Sequence, residues 1–285
     1  MAMVVKEMLE VGKRTLEGAG IFDAKVDAES LLCHMLHIDR HGLFMMWSKT
    51  MDDAQCDIFF DLIDKGASRI PLQHIIGSQE FMGLNFKVAE HVLIPRMDTE
   101  VLVQAVLDVE DQFKGKTSVL DLCCGSGAIG VSLAKLSKGM KVTCSDISDH
   151  AIALTKANAK ELKANITVKQ GDMFEPFAGK ILKTKFDIIV SNPPYIESAV
   201  IPTLEVEVAE HEPMLALDGG SDGLVFYRMI AENAKTHLNK GGMLFLEIGH
   251  NQGEALRELL EAQGFTDVEV RQDYAGLDRV VIAKA

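Results

Sequence analysis

The 285 residues are 47% hydrophobic and 25% charged, with a formal net charge of −13. That content suits one large or two modest soluble domains with ample core. The acidity and the absence of any Lys/Arg-rich run argue against a duplex-binding protein, which carries a basic face, and favour a protein or small-molecule substrate. Charges at Lys6 and Glu7 come too early for a signal peptide, and no apolar run reaches the ~18 residues of a membrane span. Cys33, Cys56, Cys123, Cys124 and Cys144 form no C-x-x-C pair; an odd count without metal spacing reads as reduced thiols in the cytoplasm.

Residues 1–70 read as a small helical domain. Val4, Met8, Leu9, Val11 and Leu16 mark a first helix, stopped by Gly18-Ala19-Gly20. A second spans Ala28–Leu36, with Asp27 as its N-cap. A third starts at Asp52, with Gln55 placed for a capping box, and carries Ile58, Phe59, Leu62 and Ile63. His34, His37 and His41 lack a supporting carboxylate or cysteine and read as ordinary histidines rather than a metal site; Trp47 reads as packing. Residues 71–93 alternate with Gly punctuation and predict a β-hairpin linking two domains. Arg96 then lies on a loop, equally placed for a surface or a site role, before Asp98 or Thr99 caps a helix from Glu100 to about Val109.

From Ser118 strands and helices alternate: strands at 118–122, 141–146, 166–170, 186–191 and 243–248, helices at 128–136, 149–162, 224–238 and 254–263. Two final strands, 268–271 and 279–283, have no long helix between them. This predicts a doubly wound, mostly parallel sheet with one antiparallel strand at or near the edge. Residues 94–285 would form this second domain.

Two stretches carry chemistry. In the first, strand 118–122 runs into Asp121-Leu122-Cys123-Cys124-Gly125-Ser126-Gly127. Gly125 and Gly127 let backbone approach a ligand, and Asp121 sets a carboxylate before the loop. Asp146, about 20 residues on, is placed to bind ribose hydroxyls. Asp172 is placed to meet an adenine amine and Met173 to pack on its ring. Cys123 and Cys124 read as small residues that fit the loop rather than as reactive thiols.

The second stretch is Asn192-Pro193-Pro194-Tyr195, a stiff corner ending strand 186–191. The Asn192 side-chain oxygen and the Pro193 carbonyl are two acceptors for the hydrogens of a planar NH2 group, and Tyr195 can lie on its face. Such a group is a side-chain amide or an exocyclic base amine. Fixing both hydrogens aims a weakly nucleophilic lone pair at an electrophile. A Gly-x-Gly loop also admits a dinucleotide. Hydride transfer has no need of the corner, however, and the combination suits S-adenosylmethionine, whose sulfonium methyl is the electrophile. A nucleotide-binding regulator without catalysis is the rival from another class.

Taken together the motifs resemble the N5-glutamine methyltransferases of bacterial-type peptide chain release factors. The resemblance covers nearly the whole chain: the helical N-terminal domain, Gln79-Glu80-Phe81-Met82-Gly83, Ile94-Pro95-Arg96-Met97-Asp98-Thr99-Glu100, the 121–127 loop, the 192–195 corner, Glu212-Pro213, residues 218–224 and Leu246-Glu247-Ile248-Gly249. A sister family acting on a ribosomal protein glutamine usually departs from the Arg-x-Asp-Thr-Glu segment, which this chain keeps. The resemblance implies a Rossmann-like α/β methyltransferase sheet preceded by a small all-α domain. It implies a cofactor site lined by residues 123–127, Asp146, Met173 and Asn192, and a glutamine site at Asn192, Pro193, Pro194 and Tyr195. The substrate it implies is the glutamine of a Gly-Gly-Gln loop, with the N-terminal domain as the docking surface for the release factor. The family often has Gly where this chain has Cys123, Pro where it has Met97, and an aromatic residue at 173. A monomer acting on protein, without membrane or direct nucleic-acid binding and without metal, is expected. Methylation of a ribosomal protein glutamine or of adenine N6 is the alternative chemistry.

Overall fold

The structure, a computed structural model, describes residues 2–113, 115–179 and 184–285. It divides into two compact units: Met1–Ser78 with Glu205–His211, and Gln79–Leu204 with Glu212–Ala285.

The first unit holds β1 (Met3–Val4), α1 (Val5–Gly18), α2 (Ala24–Leu36), α3 (Arg40–Met45), β2 (Thr50–Met51), α4 (Asp53–Ala67) and α5 (Leu72–Ile76). Val5, Met8, Leu16, Leu31, Leu32, Phe59 and Ile63 close its core. α1 and α4 meet at Gly12, where a Cβ would come within 2.9 Å of both Phe59 and Ile63. The capping box of α4 is present: Gln55 N–H donates to Asp52 Oδ1 at 2.8 Å, and Asp52 N–H to Gln55 Oε1 at 3.2 Å. Three expectations need correction. α2 begins at Ala24, so Asp27 lies within its first turn and Asp23 holds the N-cap position. Residues 72–76 form a helix, not the start of a hairpin. Pro71 opens it, Gly77 at φ 80° closes it, and Leu72, Ile75 and Ile76 face the helical core. Finally, Glu205–His211 clusters with the helices rather than with the sheet, and Arg69 bonds Glu207 there at 2.6 Å.

A hairpin of β3 (Ser78–Phe81) and β4 (Leu84–Lys87), all of it after Ser78 in the second unit, precedes α6 (Thr99–Asp108). Strands and helices alternate from there: β5 (Ser118–Leu122), α7 (Ala128–Leu136), β6 (Lys141–Asp146), α8 (Asp149–Glu161), β7 (Ile166–Gln170) and β8 (Phe186–Ser191). The short α9 (Val206–Ala209), of the first unit, and α10 (Met214–Leu217) precede α11 (Val225–His237), β9 (Leu238–Glu247), α12 (Gly253–Ala262), β10 (Thr266–Gln272) and β11 (Asp278–Lys284). The sheet order is β10-β11-β9-β8-β5-β6-β7. β11 runs antiparallel to both neighbours, and the β9-β8-β5-β6-β7 pairs are parallel. The expected doubly wound sheet with one antiparallel strand near an edge is therefore what forms. β9 starts at Leu238 rather than 243, because the pairing with β8 shifts between Phe186 and Ile188 and accommodates extra residues.

Side chains alternate across β5, so the sheet has two apolar faces. Val119 faces α6, α7 and the hairpin residues Phe81 and Phe86; Leu120 and Leu122 face α11 and α12. Strand order reverses between β5 and β8, which opens a crevice beyond their carboxyl ends. Both chemistry-bearing stretches leave the sheet there. No helix among the described residues is long and apolar enough to cross a membrane.

Candidate active site

The loop after β5 turns three times through left-handed backbone: Cys123 at φ 60°, Gly125 at 55° and Gly127 at 80°. Only glycine takes this region without strain, so Cys123 holds a backbone conformation that costs a side chain energy. Hydrogen bonds hold the loop from three sides. Gly125 N–H donates to Asp146 Oδ2 at 2.9 Å. Thr155 Oγ1 donates to the Gly125 carbonyl at 2.9 Å. Asn158 Nδ2 donates to the Ser126 carbonyl at 2.9 Å, and to the Lys87 carbonyl at 3.1 Å, while its Oδ1 accepts from Lys87 N–H at 2.8 Å. Asp146 Oδ1 accepts from Ser148 N–H at 2.9 Å.

Asp121 does not reach the ligand space. It is fully buried behind the loop and accepts from Gly130 N–H at 2.8 Å, fixing the start of α7. Burial pushes its carboxyl up to about 7. Its role is to build the loop, because its side chain points to the helix side of β5.

A cavity of about 380 Å³ opens beside the loop, a size typical of small-ligand pockets. Cys123, Cys124, Gly125, Ser126, Asp146, Asp172, Met173, Asn192 and Pro194 line it; Asp121, Gly127, Pro193 and Tyr195 do not. Met173 takes φ 44°, and its sulfur lies 3.8 Å from Cys123 Sγ. S-adenosylmethionine fits this wall: Asp146 and Asp172 suit its cationic groups and ribose, while Met173, Phe226, Met229 and Leu215 give apolar surface. Phe226 and Met229 were missed in the sequence. Their spacing of three on α11 turns both to one side, a pattern shared with any buried helix face. Arg96 also lines the cavity. Its Nη2 donates to buried Glu212 Oε1 at 2.8 Å, an oxygen that also accepts from Ile94 N–H at 3.3 Å. Burial raises the Glu212 carboxyl to about 6, with Arg96 pulling the other way.

The 192–195 corner is clamped from behind. Gln252 Nε2 donates to the Tyr195 carbonyl at 3.0 Å. A Cβ at Gly219 would come within 2.7 Å of Tyr195 Cα, and one at Gly223 would strike the Tyr195 carbonyl oxygen. This close approach accounts for Gly219 and Gly223. Asn192 Nδ2 donates to Thr99 Oγ1 at 3.4 Å, and Tyr195 donates its hydroxyl proton to Glu247 Oε1 at 3.4 Å. Burial, then the charge of Glu247, pushes the Tyr195 phenol upward, so it stays protonated. Among the described residues neither Asn192 Oδ1 nor the Pro193 carbonyl accepts a hydrogen bond, leaving two successive acceptors for a ligand.

Residues 96–211 match the family model described as Methyltransferase small domain, and residues 7–77 match PrmC N-terminal domain. The release factor glutamine methyltransferase of Geobacter sulfurreducens is 41% identical over 277 residues, 97% of this chain and 95% of that one. That of Clostridium acetobutylicum is 42% identical over 259 residues, 90% of each chain. A crystal structure of a methyltransferase from Pyrococcus furiosus, 18% identical, superposes with a TM-score of 0.52 over 71% of this chain and 89% of its own, which is a likeness of fold. The chain belongs to the release factor glutamine methyltransferase family and is an S-adenosylmethionine-dependent methyltransferase.

Proposed function

We propose that the enzyme methylates the side-chain amide nitrogen, N5, of the glutamine in the Gly-Gly-Gln motif of peptide chain release factors. The observation that carries this reading is the pair of open acceptors at Asn192 Oδ1 and the Pro193 carbonyl. Two acceptors are the number that the two hydrogens of one primary amide call for. Asn192 and Pro193 hold that NH2 group, Pro194 stiffens the corner, and Tyr195 supports the amide plane. An amide lone pair is conjugated and weakly nucleophilic; fixing both hydrogens aims it and removes the entropy of alignment. When bound along Cys123–Gly127, Asp146, Asp172 and Met173, S-adenosylmethionine supplies an electrophilic methyl group on a sulfonium sulfur. No strong base is needed, because the nitrogen becomes acidic on accepting the methyl and sheds its proton afterwards.

The helical residues 1–70 serve in this reading as the docking surface for the release factor, and the enzyme works as a monomer on protein rather than on nucleic acid. Free thiols without metal spacing support a cytoplasmic location. The test is methyl transfer from labelled S-adenosylmethionine. It offers a release factor, the same factor with its Gly-Gly-Gln glutamine changed to alanine, a ribosomal protein mixture and unmethylated nucleic acid. Label on the intact factor alone is expected. Label on the alanine factor, the ribosomal proteins or the nucleic acid overturns the assignment.

A further inference from the structure

Among the described residues, the cavity beside the 123–127 loop is lined by two carboxylates, Asp146 and Asp172, and by a single Lys or Arg side chain, Arg96. S-adenosylmethionine carries two cations, its sulfonium and its ammonium, and one anion, its carboxylate. A carboxylate taken out of water needs donors in return. The loop has already spent most of its own. Cys124 N–H donates to the Ser145 carbonyl at 3.0 Å, Gly127 N–H to the Cys124 carbonyl at 2.8 Å, and Gly125 N–H to Asp146. Arg96 has donors to spare. Its guanidinium has five N–H groups, and only Nη2 makes a hydrogen bond among the described residues. The side chain is 42% exposed.

The guanidinium is aimed rather than loose. Glu212, its side chain fully buried, accepts from Arg96 Nη2 at 2.8 Å and from Ile94 N–H at 3.3 Å on the same oxygen. One acid thus fixes both the backbone and the side chain of residues 94–96. An arginine that only decorated the surface would gain nothing from a buried partner, whose desolvation opposes folding. Arg96 also stands one turn from the residue that holds Asn192. Thr99 N–H donates to the Arg96 carbonyl at 3.1 Å, and Thr99 Oγ1 accepts from Asn192 Nδ2 at 3.4 Å. The methyl group and the amino-acid tail of the cofactor are carried by the same sulfur. Delivering the methyl at Asn192 therefore brings the tail to the wall that holds Asn192.

We propose that Arg96 binds the carboxylate of S-adenosylmethionine through the N–H groups that Glu212 leaves unspent. A planar guanidinium matches a carboxylate in shape and charge. The inference rests on Asn192 as the place where the methyl is delivered, not on which protein supplies the amide.

The test is calorimetry on the full-length enzyme with two ligands. One is S-adenosylmethionine; the other is its decarboxylated form, which keeps the ammonium and the sulfonium. Wild type should bind the intact cofactor about tenfold to a hundredfold tighter, as one charge-assisted contact allows. Arg96→Met should weaken the intact cofactor by that factor. It should leave the decarboxylated form within about threefold, as a cycle that isolates one contact requires. Arg96→Lys keeps the charge without the planar fork and should restore part of the preference. Where Arg96→Met fails to fold, the same loss should appear in Arg96→Met combined with Glu212→Gln, which strands no buried charge.

Equal affinities in wild type overturn the inference, and that result needs no variant. A preference retained in Arg96→Met overturns it too, as do two ligands weakened by the same factor, the mark of a structural role. A raised KM for the release factor with cofactor affinity unchanged would give Arg96 to the protein substrate and overturn it as well. Loss of the preference in Arg96→Met upholds the inference even if the wild-type enzyme labels no release factor, an outcome that overturns the substrate assignment alone.

Discussion

The two loops that leave the sheet at its switch point are held by different means. The loop at residues 123–127 is fixed by backbone amides given to carboxylates 9 and 21 positions away in sequence, Asp121 for Gly130 and Asp146 for Gly125. The corner at 192–195 is fixed through side chains 93 and 52 positions away, Thr99 for Asn192 and Glu247 for Tyr195. A loop gripped at its backbone by Asp121, Asp146, Thr155 and Asn158 tolerates change in its own side chains but not in those four. A corner held through distant hydroxyls and carboxylates depends on their orientation and protonation. The first arrangement suits a cofactor that is the same at every turnover. The second suits a weak nucleophile that must be aimed.

This contrast can be broken by variants that touch one loop and not the other. The largest effect is expected from Asn192→Ala, which removes one amide acceptor. By analogy with the loss of a single transition-state hydrogen bond it should lower kcat by about 10²–10³-fold, or about 3–4 kcal/mol, with cofactor affinity retained in calorimetry. Equal loss of cofactor affinity would show that the corner also builds the cofactor site. Gly130→Ala strikes the other loop. The new Cβ would collide with Cys144 Sγ and lie 2.8 Å from Asp121 Oδ2, so a destabilisation of about 1–3 kcal/mol is expected from overpacking, read by urea denaturation, together with weaker cofactor binding.

A third prediction concerns pH. Burial raises Asp121 to about 7, and Asp27 and Glu212 to about 6, each above its ordinary value. Between about pH 4 and 7 the folded chain therefore keeps protons that the unfolded chain has released. Stability is highest at the acid end of that window and falls as pH rises through it. The melting temperature should be a few degrees lower at about pH 7.5 than at about pH 5.5, and Asp121→Asn should flatten the change. A Tm that rises over this interval would contradict the assignment of these acids as buried and poorly solvated. The smallest effect should come from Asp52→Ala, which removes the α4 capping box in the first unit. It should cost about 1 kcal/mol of stability while methyl transfer by the folded enzyme is unchanged.

The same contrast governs what could be read in the sequence. β5, β6, β7 and β8 were legible to the residue because each is a short apolar run bounded by polar or glycine punctuation. The loop at 123–127 was legible because its glycines and Asp146 lie within one strand–helix–strand unit. Asp121 was legible as a site residue, but not as one that faces away from the ligand, since the side of a strand end depends on where the next helix begins. Residues 72–76 misled because a single helical turn has too few residues to show a period. Thr99 and Glu247 could be quoted as parts of a motif, yet nothing local tells that a residue at the start of α6 and one at the end of β9 each bond a residue of the 192–195 corner. Met173 and Cys123 in left-handed backbone were equally hidden, since neither residue type signals a positive φ.

Asn158 uses one amide to hold both ends of a long connection, the hairpin at Lys87 and the cofactor loop at Ser126. Each bond is local, but they cannot be broken independently without stranding a buried amide. Hairpin and loop should therefore open as one cooperative unit. In amide hydrogen exchange, Lys87 N–H should gain protection when S-adenosylmethionine binds, although Lys87 is not among the residues lining the cavity. Unchanged exchange at Lys87 would mean the two segments open separately. One interior asparagine thus makes the occupancy of the pocket readable at a strand on the outside of the unit.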